Sequence, residues 1–192
     1  MSDPVEVLDY WLGELGPEGW YAGGEELDAG IRDRFGDLWQ AAADGGLDHW
    51  TEGPAGVLAF IVVTDQFPRN MWRGSAKAFS TDAMALAAAR KAIAAGWDME
   101  VPEPERQFFY LPFMHSEDLA DQEECIDLMV ERMPETGASN VLHARAHTEI
   151  IRRFGRFPYR NAAFGREMTA DEQAFLDGGG YMSVVESLKS PE

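Results

Sequence analysis

Apolar residues recur at helical spacing along most of the chain. Near its start, Val5, Leu8 and Leu12 share one face behind an Asp3-Pro4 pair, which is typical of a helix start. Apolar period, capping residues and glycine or proline stops together predict about eight helices, over residues 3–13, 25–44, 54–66, 80–96, 103–114, 116–133, 139–155 and 169–178.

The segment 54–66 is ambiguous, because the run from Val57 to Val63 is entirely apolar and rich in β-branched side chains. The pattern alone is compatible with a buried strand. No other segment supplies a partner strand, however, and the neighbouring segments all have the helical period. We therefore predict a buried helix that Pro68 ends.

These elements predict an all-α fold. With 192 residues, of which 45% are hydrophobic, the chain is long enough to bury a sizeable core, and we expect a single domain over residues 1–192. The expected architecture is about eight helices packed in antiparallel pairs. Residues 180–192, which follow Gly178-Gly179-Gly180, are expected to form a short C-terminal tail.

The composition is strongly acidic, with a formal net charge of -18. This charge argues against binding to nucleic acid or to an anionic membrane. The longest apolar run, 57–63, is too short to span a bilayer, and the Met1-Ser2-Asp3-Pro4 start does not resemble a secretory leader. The single cysteine, Cys125, excludes an internal disulfide and occupies an apolar helical position. We expect a soluble, cytoplasmic protein.

Positive charge is concentrated in residues 142–167. The stretch includes two histidines and a series of arginines, His143, His147, Arg152, Arg153, Arg156, Arg160 and Arg166. The chain has thirteen arginines but only three lysines. A guanidinium group binds carboxylate or phosphate through two parallel hydrogen bonds, which an ammonium group cannot do. The stretch is therefore expected either to bind an anion or to pair with carboxylates of the fold.

A short motif occurs twice. Phe67-Pro68-Arg69-Asn70 returns, with one residue inserted, as Phe157-Pro158-Tyr159-Arg160-Asn161, and both copies follow the end of a predicted helix. A repeated helical hairpin would produce such a signature, but the match is too short to establish duplication.

Four longer strings carry a family resemblance. They are VLDYWLGELGPEGWY near the start, DQFPRN at 65–70, YLPFMHSED at 110–118 and IIRRFGRFPYRN at 150–161. In this order they resemble the bacterial domain-of-unknown-function family 924, over nearly the whole chain. The resemblance implies a tetratricopeptide-like helical fold and no established activity. Family members more usually have histidine where this chain has Tyr159.

The polar motifs supply two sets of candidate site residues. Nine side chains are candidates for binding an anionic ligand: Asp65, Arg69, Asn70, Arg73, Asp118, Arg153, Arg156, Arg160 and Asn161. Three are candidates for catalysis: His115, Glu117 and His147. Charge clusters of this kind also occur as structural ion-pair networks that hold helices together, and the sequence leaves both interpretations open.

His143 and His147 are four residues apart and would share one face of a helix. Two histidines alone indicate a metal site only weakly, so we predict none, and no cofactor is expected. Ser116 is expected to cap the helix that follows it.

Three functions remain compatible with the sequence. The leading hypothesis is a cleft that binds a small phosphate or carboxylate, lined by Asp65, Arg69, His115, Glu117, His147, Arg153 and Arg160. The second is a scaffold for a peptide or protein partner, in which the motifs keep the helices in register. The third is a hydrolase-type enzyme with His115 or His147 as general base.

Overall fold

Helices joined by turns make up residues 3–189, the range that a computed structural model describes, and no strand occurs in that range. The all-α prediction is confirmed. The α-helices are α1 (Pro4–Leu8), α2 (Gly16–Gly19), α3 (Glu25–Ala43), α4 (Pro54–Ile61), α5 (Phe67–Met71), α6 (Asp82–Ala94), α7 (Leu111–Met114), α8 (Leu119–Arg132), α9 (Ala138–Phe154), α10 (Asn161–Phe164), α11 (Ala170–Asp177) and α12 (Gly180–Lys189).

Shorter helical turns join these elements. Turns of 3-10 helix lie at Asp48–Glu52, Ala76–Phe79, Trp97–Glu100, Glu105–Phe109 and Pro158–Arg160, and π-helical turns lie at Asp9–Leu15 and Val62–Gln66. Among the described residues, no helix is both long and apolar enough to cross a membrane.

The chain divides into two compact units, Met1–Pro112 and Phe113–Glu192. In the first unit, α3 packs against α5, and α4 packs against α1 and α6. In the second, α9 packs against α8 and α12. The single domain and the tetratricopeptide-like arrangement stay predictions.

Capping side chains set several helix ends as the sequence predicts. The Asp3 carboxylate accepts a hydrogen bond from the Val5 N–H at 3.0 Å at the start of α1. Thr169 and Glu172 form a complete capping box at the start of α11. Gly155 ends α9 with φ at 68°, a left-handed conformation that glycine adopts without a steric penalty.

The apolar segment in the middle of the chain is a buried helix, as predicted, but it does not end at Pro68. Helix α4 passes into the π-helical turn and then into α5, and the chain remains helical up to Met71. Pro68 lies in the first turn of α5 and has no N–H to donate to the Thr64 carbonyl four residues earlier; that carbonyl accepts a hydrogen bond from the Thr81 hydroxyl at 2.6 Å.

Ser116 is not the cap of α8. The Asp118 carboxylate caps this helix by accepting a hydrogen bond from the Ala120 N–H at 2.8 Å. The Ser116 hydroxyl instead accepts from the Asp118 N–H and donates to the Asp121 carboxylate at 2.6 Å. The predicted helix over 103–114 is also divided, into the 3-10 turn Glu105–Phe109 and the short α7.

Residues 180–189 form α12 where the sequence predicted a tail, and 190–192 lie outside the described residues. Val185 is fully buried, and Tyr181 and Val184 pack against the cluster formed by Ile150, Ile151, Phe157 and Phe175. The glycines before α12 form a turn. The apolar face of α12 is long enough to pack against the cluster.

The core of the first unit is aromatic. The Phe67 ring stacks on Phe35 with centroids 4.6 Å apart and meets Trp11 edge-on at 5.6 Å. Trp11 in turn contacts Phe108, and these four side chains are at most 1% exposed. Aromatic pairs at such distances add to the free energy gained by burial.

We expect Phe67→Ala to lower the free energy of unfolding by about 3–5 kcal/mol, because the missing ring leaves a cavity that close-packed neighbours cannot fill. Phe164→Ala, at a side chain that is 39% exposed, is the matched control and should cost less than about 1 kcal/mol. Urea denaturation monitored by circular dichroism measures both. Equal losses would contradict the assignment of Phe67 to the core.

Candidate functional site

In the first unit, the DQFPRN motif binds carboxylates of its own unit. The Arg69 guanidinium donates two hydrogen bonds of 3.1 Å to the Asp82 carboxylate and lies 3.1 Å from Asp65 one helical turn earlier. Asp65 is fully buried and also accepts a hydrogen bond from the Gln66 amide. The motif therefore ties α5 and the π-helical turn before it to the start of α6.

A second ion pair of the first unit centres on Asp28 in α3. Its carboxylate accepts hydrogen bonds from the Arg73 guanidinium at 2.9 and 3.0 Å and from the Asn70 amide at 2.9 Å. The hydrogen bond from Arg73 is the largest effect on the pKa of Asp28, which is lowered. Asn70 and Arg73 thus fix α5 against α3.

In the second unit, Glu117 joins the loop before α8 to the segment after α9. Arg166 binds both carboxylate oxygens of Glu117 at 3.0 and 2.8 Å, and the Phe157 N–H donates to one of them at 3.0 Å. Burial is the largest effect on the pKa of Glu117 and raises it. These hydrogen bonds, together with the positive charges of Arg166 and Arg160, outweigh burial and lower the pKa.

Glu172 in α11 receives a second arginine of the arginine-rich stretch, Arg156. Arg156 binds its two carboxylate oxygens at 2.6 and 2.9 Å, and the Asn161 amide donates at 3.2 Å. The Thr169 N–H completes the set at 2.8 Å. Hydrogen bonding by Arg156 is the largest cause that lowers the pKa of Glu172 to about 2.

The two copies of the repeated motif therefore form similar contacts. Asn70 shares the Asp28 carboxylate with a nearby arginine, Arg73, and Asn161 shares the Glu172 carboxylate with Arg156. At Asp28 and at Glu172, one asparagine amide and one guanidinium that donates two hydrogen bonds bind the same largely buried carboxylate.

His147 lies on α9 beside three positively charged or titratable neighbours. Its pKa is lowered to about 3, mainly by burial; the charges of His115, Arg160 and His143 act in the same direction, and the hydrogen bond to the His143 backbone opposes them. The His147 ring meets Phe157 edge-on at 5.3 Å, while the Arg160 guanidinium lies over the same Phe157 ring at 4.5 Å. We call His115, His147 and Arg160 the histidine–arginine cluster.

The hydrogen bonding of His147 fixes its tautomer. Its Nδ1 lies 2.9 Å from the His143 carbonyl oxygen, which can only accept, so Nδ1 carries the proton. Nε2 of the neutral ring is then an unprotonated acceptor. Within residues 3–189 this atom has no hydrogen-bond partner, and the side chain is only partly buried.

His143 contacts α12, and its Nδ1 is therefore not available to a ligand. That nitrogen forms a hydrogen bond with the Tyr181 hydroxyl, and burial lowers the pKa of His143. Across residues 3–189 no group of three or more histidine, cysteine or acidic side chains is arranged to hold a metal ion.

Two predicted ligand residues have other positions. Arg153 is exposed on α9, with its guanidinium over the rings of Phe154 and Phe175 at 4.7 and 5.6 Å. Asp118 caps α8. The two sets of motif residues belong to different units: Asp65, Arg69, Asn70 and Arg73 to the first, and His115, Glu117, Asp118, His147, Arg153, Arg156, Arg160 and Asn161 to the second.

The sequence reading missed the acids that receive the arginines. Asp82 lies in the first turn of α6 and Glu172 forms the capping box of α11, so each acid also has a local role. Asp28 lies in the first turn of α3, where an acid is expected from the helix dipole alone, so the sequence gives no signal of its burial at 9% exposure. Their partners lie 13 to 45 residues away along the chain, at distances that local patterns do not specify.

We expect Glu172→Gln to flatten the loss of stability at acid pH. The folded pKa of about 2 lies below the usual glutamate value of about 4.3, so the unfolded chain binds more protons between these pH values. This contribution is present above about pH 4.3 and is lost as the pH falls towards about 2. Asp171→Asn, at an exposed acid in the same turn, is the control. Unfolding midpoints measured against pH that fall equally steeply in wild type and Glu172→Gln would contradict this pairing.

We also expect the ring-proton resonances of His147 to stay constant between about pH 8 and pH 5, because its pKa of about 3 keeps the ring neutral. A nuclear magnetic resonance titration measures this, and the signal that disappears in His147→Phe assigns the residue. A titration midpoint above about pH 5 would show that the ring is not held in this environment.

The comparisons with known proteins agree with the family resemblance. A family model described as "Bacterial protein of unknown function (DUF924)" matches residues 7–180. The chain is 41% identical to a solved protein of unknown function, ATU0120 from Agrobacterium tumefaciens, with a TM-score of 0.85 over 92% of this chain and 97% of that one. A search of curated proteins found no match. The match over most of the chain shows that this protein belongs to the bacterial family DUF924.

Proposed function

We propose that the histidine–arginine cluster of the second unit binds a small anion that also carries a hydroxyl or N–H donor. The observation that carries the proposal is the state of His147: a neutral ring with an acceptor atom, Nε2, that the described part of the protein leaves unbonded. The ligands that fit this chemistry are hydroxy acids and phosphates.

The preference for an anion follows from the local potential. The charged neighbours that shift the pKa of His147, namely His115, Arg160 and His143, all lower it. Arg160 also lowers the pKa of Glu117, so its positive charge acts on both Glu117 and His147. The Arg160 guanidinium thus supplies local positive charge beside His147 in a chain whose net charge is -18.

The requirement for a donor follows from the tautomer. The His143 carbonyl holds the proton of His147 on Nδ1, so Nε2 can accept a hydrogen bond but cannot donate one. A carboxylate or phosphate oxygen alone cannot satisfy this atom. A hydroxyl group next to the charge, or the P–OH of a phosphate monoanion, can.

The same environment argues against His147 as a general base. A catalytic base works best when its pKa is near the operating pH, and the pKa of about 3 leaves His147 weakly basic at neutral pH. A hydrolase-type activity would therefore have to use His115, so we place binding before catalysis.

A scaffold for a peptide or protein partner is the second candidate. Arg69, Arg73, Arg156 and Arg166 each bind a carboxylate of their own unit, as a structural network requires. Tyr159, Phe164 and Met168 present exposed apolar side chains around α10 and would supply contacts for such a partner.

The test is a thermal-shift comparison of three related compounds. Glycolate has a negative charge and a hydroxyl donor, methoxyacetate keeps the charge without the donor, and glycolamide keeps the hydroxyl without the charge. We expect glycolate, or inorganic phosphate, to stabilise the protein more than the other two. At about one hundred times the dissociation constant the gain is about 2.7 kcal/mol, a rise of roughly 5–10 °C in the unfolding midpoint.

His147→Phe keeps the ring against Phe157 and Tyr181 and removes both nitrogens, so it should abolish this response. His49→Phe makes the same exchange at an exposed histidine of the first unit and should leave the response unchanged. If no anion stabilises the protein, or if the response survives His147→Phe, the ligand site is excluded and the scaffold becomes the better account.

A further inference from the structure

The ammonium group of Lys77 lies against two tryptophans in the first unit. Its Nζ is 4.1 Å from the centre of the Trp72 ring and 4.6 Å from the centre of the Trp39 ring. The chain has 34 acidic residues, yet among the described residues the side chain of Lys77 forms no ion pair. This exposed lysine therefore has π-faces as its neighbours in place of a carboxylate.

The two indole rings meet at an angle, and we call this pair the wedge. Their centroids are 4.1 Å apart and their planes are inclined at 58°, so the rings are not stacked and a cation can contact both faces. Ring faces carry negative electrostatic potential and attract a cation within about 6 Å of the centroid. Two faces inclined to one another are the arrangement found in aromatic cages for quaternary ammonium groups.

The wedge is held in place by the fold. Trp39 lies on α3, is 4% exposed and donates from Nε1 to the Thr81 hydroxyl at 3.2 Å. Thr81 in turn donates to the Thr64 carbonyl at 2.6 Å, which fixes the position of its hydroxyl. Trp72 ends α5. The Trp39 ring is thus held in place before a ligand binds, which lowers the entropic cost of binding.

Lys77 occupies this wedge from a short turn. It belongs to the 3-10 turn Ala76–Phe79, where its N–H donates to the Ser75 hydroxyl at 3.3 Å. A lysine ammonium is compact and strongly hydrated, so it loses solvation when it approaches a ring. A methylated ammonium is less hydrated and fits the same faces at a smaller cost.

We propose that Trp39 and Trp72 form a binding site for small organic cations of the quaternary or methylated ammonium class, and that Lys77 is its tethered competitor. The site is separate from the histidine–arginine cluster and takes a ligand of opposite charge. The acidic chain favours the approach of such a cation. The tether gives Lys77 a high effective concentration at the wedge, so its removal should expose the site.

The experiment is a titration of full-length protein with choline, followed through the indole resonances of Trp39 and Trp72. We expect Lys77→Gln to bind choline at least about tenfold more tightly than wild type. Lys91→Gln is the matched control, because Lys91 is an exposed lysine of the same unit that donates to the Thr51 hydroxyl at 3.2 Å; it should behave like wild type.

Two further comparisons separate a cation site from an apolar surface. Dimethylbutanol, the uncharged carbon isostere of choline, should not bind Lys77→Gln, and adding Trp72→Leu to that variant should remove choline binding. The proposal is overturned if Lys77→Gln does not bind choline, or if the uncharged isostere binds equally well. The isostere comparison needs no change in a tryptophan, so it remains decisive even if Trp72→Leu does not fold.

Discussion

Three buried or half-buried carboxylates, each paired with an arginine, organise the contacts within both units. Asp28, Glu117 and Glu172 each accept two hydrogen bonds from one arginine and at least one more from an asparagine amide or a backbone N–H. An acid removed from water without such donors is costly, and so is an arginine that loses its acid. The arginine-rich motifs therefore connect helices that are far apart in sequence.

The sequence predicts the helices better than it predicts what they contact. Local signals define the all-α fold, the capping box at Thr169 and the end of α9 at Gly155, since the responsible atoms lie within a few residues. The course of the chain past Pro68 and the burial of α12 depend on neighbouring elements, so local patterns misplace them. The choice of Glu172 as the partner of Arg156 is likewise a property of the tertiary structure.

For the candidate site, helical spacing correctly places His143 and His147 on one face, where both contact Tyr181. Spacing says nothing about the lowered pKa of His147, which arises from burial and positive neighbours. The family match and the Agrobacterium structure support the fold and carry no statement of activity. Arg69, Arg73, Arg156 and Arg166 bind carboxylates of the fold, whereas Nε2 of His147 is left available.

The motif acids and arginines form structural pairs, and a double-mutant cycle on Glu117 and Arg166 measures the coupling of one such pair. Each single change, Glu117→Gln or Arg166→Gln, leaves one partly buried charge without its partner, whereas the double variant leaves neither. We expect the double variant to lose clearly less stability than the sum of the two single losses. Losses that add to within about 0.5 kcal/mol would show that the two side chains are not coupled and would contradict the account.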